Sequence, residues 1–248
     1  MRAWQLRAGR FAGAVLLVGM LMVLADAAPT RAAIAVSTSR LPMGLTHVYG
    51  AKQLIVVTST SSTSSLATLR AFDEVNGVWR RAFGPMRARV GRNGWSPARS
   101  RREGDQRTPE GIYTLGTTIY GTNKKPRAAY RFHHIVSGDY WDENPATGKK
   151  YNTFQHSANP DCANNPYRGD TECLWLEPIP YAYFAVINFN IPATGPYGSA
   201  IFLHVGTADA TGGCVSIAKT SLVRILDWLR SSDAPRIVLA GPTTPARY

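Results

Sequence analysis

Ile201-Phe202-Leu203-His204-Val205-Gly206, followed four residues later by Thr211-Gly212-Gly213-Cys214-Val215, is the most informative stretch of this chain. A histidine stands near the end of an apolar run, and a cysteine follows two glycines ten residues further on. The spacing fits a strand, a turn and a return that bring imidazole and thiol together. A cysteine nucleophile needs a base that takes its proton, and His204 can be that base if the chain folds back over 206–213. Gly212 and Gly213 remove side chains beside the sulfur and free backbone N–H groups for an oxyanion. Thr211 can orient the loop or a substrate through its hydroxyl. A backbone carbonyl is enough to fix the tautomer of His204. Two plainer readings stay open. The turn can be a tight connection around a buried thiol beside a merely hydrogen-bonded histidine. A zinc site would need His133, His134 or His156 to join His204 and Cys214, without any zinc-like spacing.

Outward from this stretch the pattern is β-rich. Gln53 to Thr58 reads as a strand, the Ser/Thr run to Ser65 as a turn or exposed edge, and Leu66 to Phe72 as a second strand. Asn76-Gly77 is a hairpin signal. It leads into a third strand, Val78 to Phe83, that Gly84-Pro85 is expected to end. Ala88 to Val90, Ile112 to Leu115, Tyr183 to Phe189, Ala200 to His204 and Arg236 to Ala240 continue the series. Residues 120–180 show weak periodicity and read as long loops, functional rather than disordered because they are rich in aromatics. Among these, Phe132, Tyr151 and Trp175 are candidates to line a substrate cleft, with packing in the loop core the competing role. One helix is expected, from Ser221 to Arg230, with Leu222, Ile225, Leu226 and Leu229 on one face and Thr220 as its N-cap.

The N-terminus carries Arg2, Arg7 and Arg10, an uncharged apolar stretch from Phe11 to Leu24, and Ala25-Asp26-Ala27. This reads as a secretory signal peptide over 1–27. The stretch is shorter than the ~20 residues of a membrane span, the competing reading. A lead-in would follow over 28–50 and a catalytic domain over 51–248. Net charge is +12; loss of three arginines and one aspartate with the signal segment leaves about +10. Such a chain should gather on anionic polymers, and cell-wall glycopolymers fit an exported protein. Nucleic acid fits the charge, but no nucleic-acid module is present. Of the three cysteines, Cys162 and Cys173 lie eleven apart in a polar loop. In an oxidising compartment the economical arrangement pairs them and leaves Cys214 free.

Three motifs in order resemble the L,D-transpeptidase catalytic domain, or YkuD-like, family. They are Arg107-Thr108-Pro109-Glu110-Gly111-Ile112-Tyr113, then Phe202-Leu203-His204-Val205-Gly206, then Thr211-Gly212-Gly213-Cys214-Val215-Ser216. The resemblance implies a mostly β, YkuD-like β-sandwich with a helix packed on the sheet near the C-terminus. It implies Cys214 as nucleophile, His204 as base, Gly213 and Cys214 at the oxyanion site, and Thr211 in the place of the motif's Ser/Thr. Ser216 stands where the family has arginine, and Gly212 where many members have a second histidine. Ser216 is therefore a cleft candidate, and an arginine from 87–107 can take over the missing charge.

By the same resemblance, the substrate is the tetrapeptide stem of bacterial peptidoglycan, and the site lies in the wall or a periplasm-like space. A cysteine thioester would be resolved by a neighbouring stem's amine, giving a 3→3 cross-link, or by water, giving an L,D-carboxypeptidase. No metal or organic cofactor is needed. A papain-like or NlpC/P60-like peptidase is disfavoured, because there the cysteine precedes the histidine. A non-catalytic wall-binding protein is the other alternative.

Overall fold

The computed structural model describes residues 45, 48–164, 166–167 and 171–242. The expected signal segment and most of the lead-in lie outside these residues. The described chain forms β1 (Gln53–Thr58), β2 (Leu66–Val75), β3 (Val78–Arg89), β4 (Trp95–Pro97), β5 (Thr108–Gly121), β6 (Arg131–His134) and β7 (Asp139–Asp142). It continues with β8 (Thr153–His156), β9 (Glu172–Cys173), β10 (Phe184–Ile187), β11 (Phe202–Val205), β12 (Val215–Ile217), α1 (Lys219–Trp228) and β13 (Arg236–Ala240).

The expected sandwich is corrected to a barrel. Eight strands run β10-β11-β12-β3-β2-β1-β13-β5, and β5 pairs back with β10, closing the ring. The closing contact joins Leu115, Ile119 and Tyr120 to Ile187, Ala185 and Phe184. It removes the two free edges an open sheet would carry. The smaller strands β4 and β6 flank β5.

Period-2 alternation decides which side chains fill the barrel. Ile55 and Val57 of β1, Leu203 and Val205 of β11, Val215 and Ile217 of β12, and Ile237 and Leu239 of β13 share one buried cluster. Leu222, Ile225, Leu226 and Leu229 join the same cluster, so α1 buries the face its sequence marks. The helix starts at Lys219, after Ala218, with no side-chain cap. Thr220 thus lies inside it rather than capping it.

The alternate residues face outward, and two further clusters cover them. Leu54, Val56 and Val238 pack with Leu45, Ala51 and Trp79. Phe184, Val186 and Phe202 pack with Trp141, Leu174 and Tyr181 from the middle of the chain. That middle region is not the irregular loop its weak periodicity suggested. It holds a small sheet, β8-β7-β9, in which Tyr140 pairs with both Gln155 and Cys173. Cys162 and Cys173 sit at disulfide distance, tying its loop to β9. This insertion covers the outer face of β10 and β11, the face that carries His204.

Candidate active site

β11 and β12 run parallel, with Leu203 opposite Val215 and His204 opposite Ser216. Leu203 and Val215 point into the barrel. His204 and Ser216 therefore point out, and Cys214, two residues before Ser216, shares their side. Histidine and thiol thus stand on one outer face of adjacent strands. Both border a cavity of about 460 Å³, together with Arg101, Glu143, Glu172 and Tyr181.

The sulfur's hydrogen bonds are to backbone. It donates to the Ala200 carbonyl at 3.1 Å and accepts from the Phe202 N–H at 3.3 Å. Asn152 fixes that neighbourhood: its Oδ1 accepts from the Ala200 N–H, and its amide group donates to the carbonyls of Phe189 and Asn190. His204 Nδ1 lies 2.9 Å from the Val205 carbonyl. A carbonyl only accepts, so Nδ1 holds the proton and Nε2 keeps its lone pair. Burial lowers the His204 pKa to about 4, against a partial lift from the Val205 hydrogen bond. Burial also raises Cys214 to about 12. Both shifts favour the neutral forms, thiol and imidazole, over thiolate and imidazolium.

Two threonines pin the turn. Thr211 Oγ1 donates to the Cys214 carbonyl at 2.7 Å and accepts from the Gly213 N–H at 3.2 Å. Thr108 Oγ1, fully buried, donates to the Gly213 carbonyl and accepts from the Gly91 N–H, both at 2.8 Å. Gly213 has φ +146°, and a Cβ there would lie 2.9 Å from the Arg107 carbonyl. Sequence reasoning found the Thr108 segment as a motif without giving its hydroxyl a task; the task exists only once β5 lies beside the turn.

Arg101 fills the space beneath the turn. Its guanidinium pairs with Glu103 at 3.4 Å and Asp105 at 3.6 Å. It occupies the room left by Gly198 and Gly213. An arginine from 87–107 does therefore stand beside Cys214, though its charge is already matched.

The other expected residues separate. Phe132 packs against the barrel cluster, Tyr151 is buried, and Trp175 meets Tyr140 edge-on at 5.0 Å. None of the three borders the cavity with Cys214. Ser216 does, and its hydroxyl has no hydrogen-bond partner among the described residues. His133 and His156 do not turn toward the sulfur: each binds one oxygen of the buried Asp139 carboxylate at 2.7 Å. His134 lies 3.4 Å from the Asn123 carbonyl. Among the described residues no group of three or more His, Cys, Asp or Glu is placed to hold a metal ion.

Glu172 was not anticipated. It accepts from the Tyr181 hydroxyl at 2.5 Å. Burial raises its pKa to about 7. The Tyr181 ring in turn meets the His204 ring edge-on at 5.9 Å. No local signal marks Glu172; the disulfide partner next to it, Cys173, is the nearest clue.

A family model described as the L,D-transpeptidase catalytic domain matches residues 56–239. Comparison with curated proteins gave no match, and comparison with solved structures gave none.

Proposed function

The chain belongs to the L,D-transpeptidase catalytic domain family, and on that premise we propose that it is a peptidoglycan L,D-transpeptidase acting through a thioester on Cys214. The observation that carries the reading is the shared outer face of His204 and Cys214, opening on one cavity.

The donor is a stem tetrapeptide. His204 Nε2 takes the Sγ proton as the sulfur attacks the carbonyl of the L-centre of the diamino-acid residue. The oxyanion draws on the backbone N–H of Cys214, with Thr211, which engages the Gly213 N–H, and Thr108 fixing the turn. Collapse breaks the amide bond to the terminal D-alanine, whose amine receives the proton from His204. The side-chain amine of a second stem then attacks the thioester. His204 takes its proton, the C–S bond breaks, and the thiol is restored with a 3→3 cross-link formed. Neutral partners suit this cycle: a neutral imidazole is ready to accept, and the thiol ionises only as it attacks. The basic chain would work outside the cell, on a wall whose anionic polymers hold it near its substrate.

Incubation with muropeptide tetrapeptides and mass analysis of the products tests this. A dimer linked through two diamino-acid residues is expected. A tripeptide alone would make the chain an L,D-carboxypeptidase, and unaltered tetrapeptide would favour a non-catalytic wall-binding role.

A further inference from the structure

A second cavity, of about 530 Å³, adjoins the catalytic one, and both are bordered by Thr207 and Ser216. Its wall carries Arg87 and Arg89 of β3. Strand register places His204, Ser216, Arg89 and Leu66 in one row across β11, β12, β3 and β2. Their neighbours Leu203, Val215 and Ala88 face the barrel interior, so the row lies on the outer face. Arg89 is half-buried. Neither Arg87 nor Arg89 has an ion pair or side-chain hydrogen bond among the described residues, whereas Arg101 is matched by Glu103 and Asp105.

Between Arg89 and His204 stands Ser216. It is 1% exposed, borders both cavities and has a hydroxyl with no partner among the described residues. A half-buried cation without an anion and a buried hydroxyl without a partner, side by side along a groove, fit one kind of ligand group. Glu143 and Glu172 line the catalytic cavity and not this one, whose only charged lining residues among those described are Arg87 and Arg89.

We propose that the Arg87–Arg89 cavity is a carboxylate subsite for the peptide substrate, with Arg89 as the anchoring cation and Ser216 Oγ as a further donor. The proposal rests on the peptidyl-transfer reading above. It adds a specificity element: a stem whose carboxylate lies in this cavity has its reacting carbonyl held toward Cys214, and one with the carboxylate masked as carboxamide binds less well.

Binding measured without turnover separates this from the reaction itself. Cys214→Ala protein and the Cys214→Ala/Arg89→Gln double variant are titrated calorimetrically with synthetic tetrapeptides in which each free carboxylate in turn is made a carboxamide. One amidation should weaken binding to Cys214→Ala about five- to tenfold, the range of a partly screened charge-assisted pair. Arg89→Gln should weaken the parent peptide by the same factor and abolish that discrimination, because the two losses are one interaction. Arg89→Lys should recover part of it, and unchanged thermal unfolding should show that each variant is folded. Equal discrimination with and without Arg89 at every carboxylate overturns the subsite. So does an Arg89→Gln defect seen only with a phosphate-rich wall polymer and not with peptide. Wild-type protein that binds with this discrimination but forms no thioester would sink the transpeptidase reading and leave the subsite standing.

Discussion

Alkylation of Cys214 by iodoacetamide across a pH series examines the protonation state on which the mechanism rests. The reagent takes thiolate, not thiol. Burial moves Cys214 from 9.0 to about 12. At pH 7 an exposed thiol of pKa ~9 is about one part in a hundred ionised, and one at ~12 about one part in a hundred thousand. Cys214 should therefore react about a thousandfold more slowly than an exposed cysteine. Intact-mass detection under non-reducing conditions follows this single site, because Cys162 and Cys173 are bonded to each other. The rate should climb with pH to beyond 10 without a plateau. Acylation by substrate should behave differently. His204, lowered to about 4, is the neutral base at every pH above that value. Acylation should hold from pH 5 upward and fall only as the solution approaches pH 4. An alkylation plateau with a midpoint below 7 would reveal a preformed thiolate–imidazolium pair and refute the reasoning.

Gly213→Ala places a Cβ against the Arg107 carbonyl at a φ that L-residues rarely adopt. It should cost about 1–3 kcal/mol in urea unfolding and sharply slow acylation. Thr108→Val keeps the shape but strands the Gly213 carbonyl and Gly91 N–H. Loss of about 1–3 kcal/mol with lowered turnover is expected, and unfolding indistinguishable from wild type would remove Thr108 as the pin. Glu172 keeps its proton to about pH 7 when folded, against an ordinary 4.5. Between those values the folded state holds a proton the unfolded state has released, so this contribution is full below 4.5 and lost as pH rises through 7. Glu172→Gln should therefore narrow the drop in Tm between pH 5 and pH 8, and an unaltered drop would contradict the burial of this carboxyl.

Local chemistry made much of the barrel legible. Gln53–Thr58 and Arg236–Ala240 are short β-branched runs bounded by turn residues, and both form strands over the expected spans. Asn76 and Gly77 take the positive φ values their hairpin requires. Gly84-Pro85 failed as a stop. β3 runs through it to Arg89 because the β2–β3 register shifts there. Gly84, at φ +96°, lets the strand pass close to the Leu69 carbonyl. Barrel closure had no sequence signal at all. It depends on β5 meeting β10 across the whole insertion, and hydrophobic alternation looks the same in a sandwich and a barrel.

The site divides in the same way. The placement of His204 and Cys214 beside one cavity was legible because a strand, two glycines and a return constrain where they point. Thr108, Asn152 and Glu172 were not, because each acts on a partner brought near only by folding: the turn, the Ala200 backbone and Tyr181. The aromatic candidates lie away from the Cys214 cavity for a complementary reason. Phe132, Tyr151 and Trp175 are large and apolar enough to be drawn into packing, and the cavity beside the sulfur has a mixed lining in which Tyr181 is the aromatic.

Intact-mass measurement of the folded protein after exposure to a carbapenem, with the adduct located by proteolytic mapping, addresses the nucleophile directly. One acyl group on Cys214, absent in Cys214→Ala, is the expected result. A folded wild-type chain that stays unmodified, or an adduct on another residue, would contradict it.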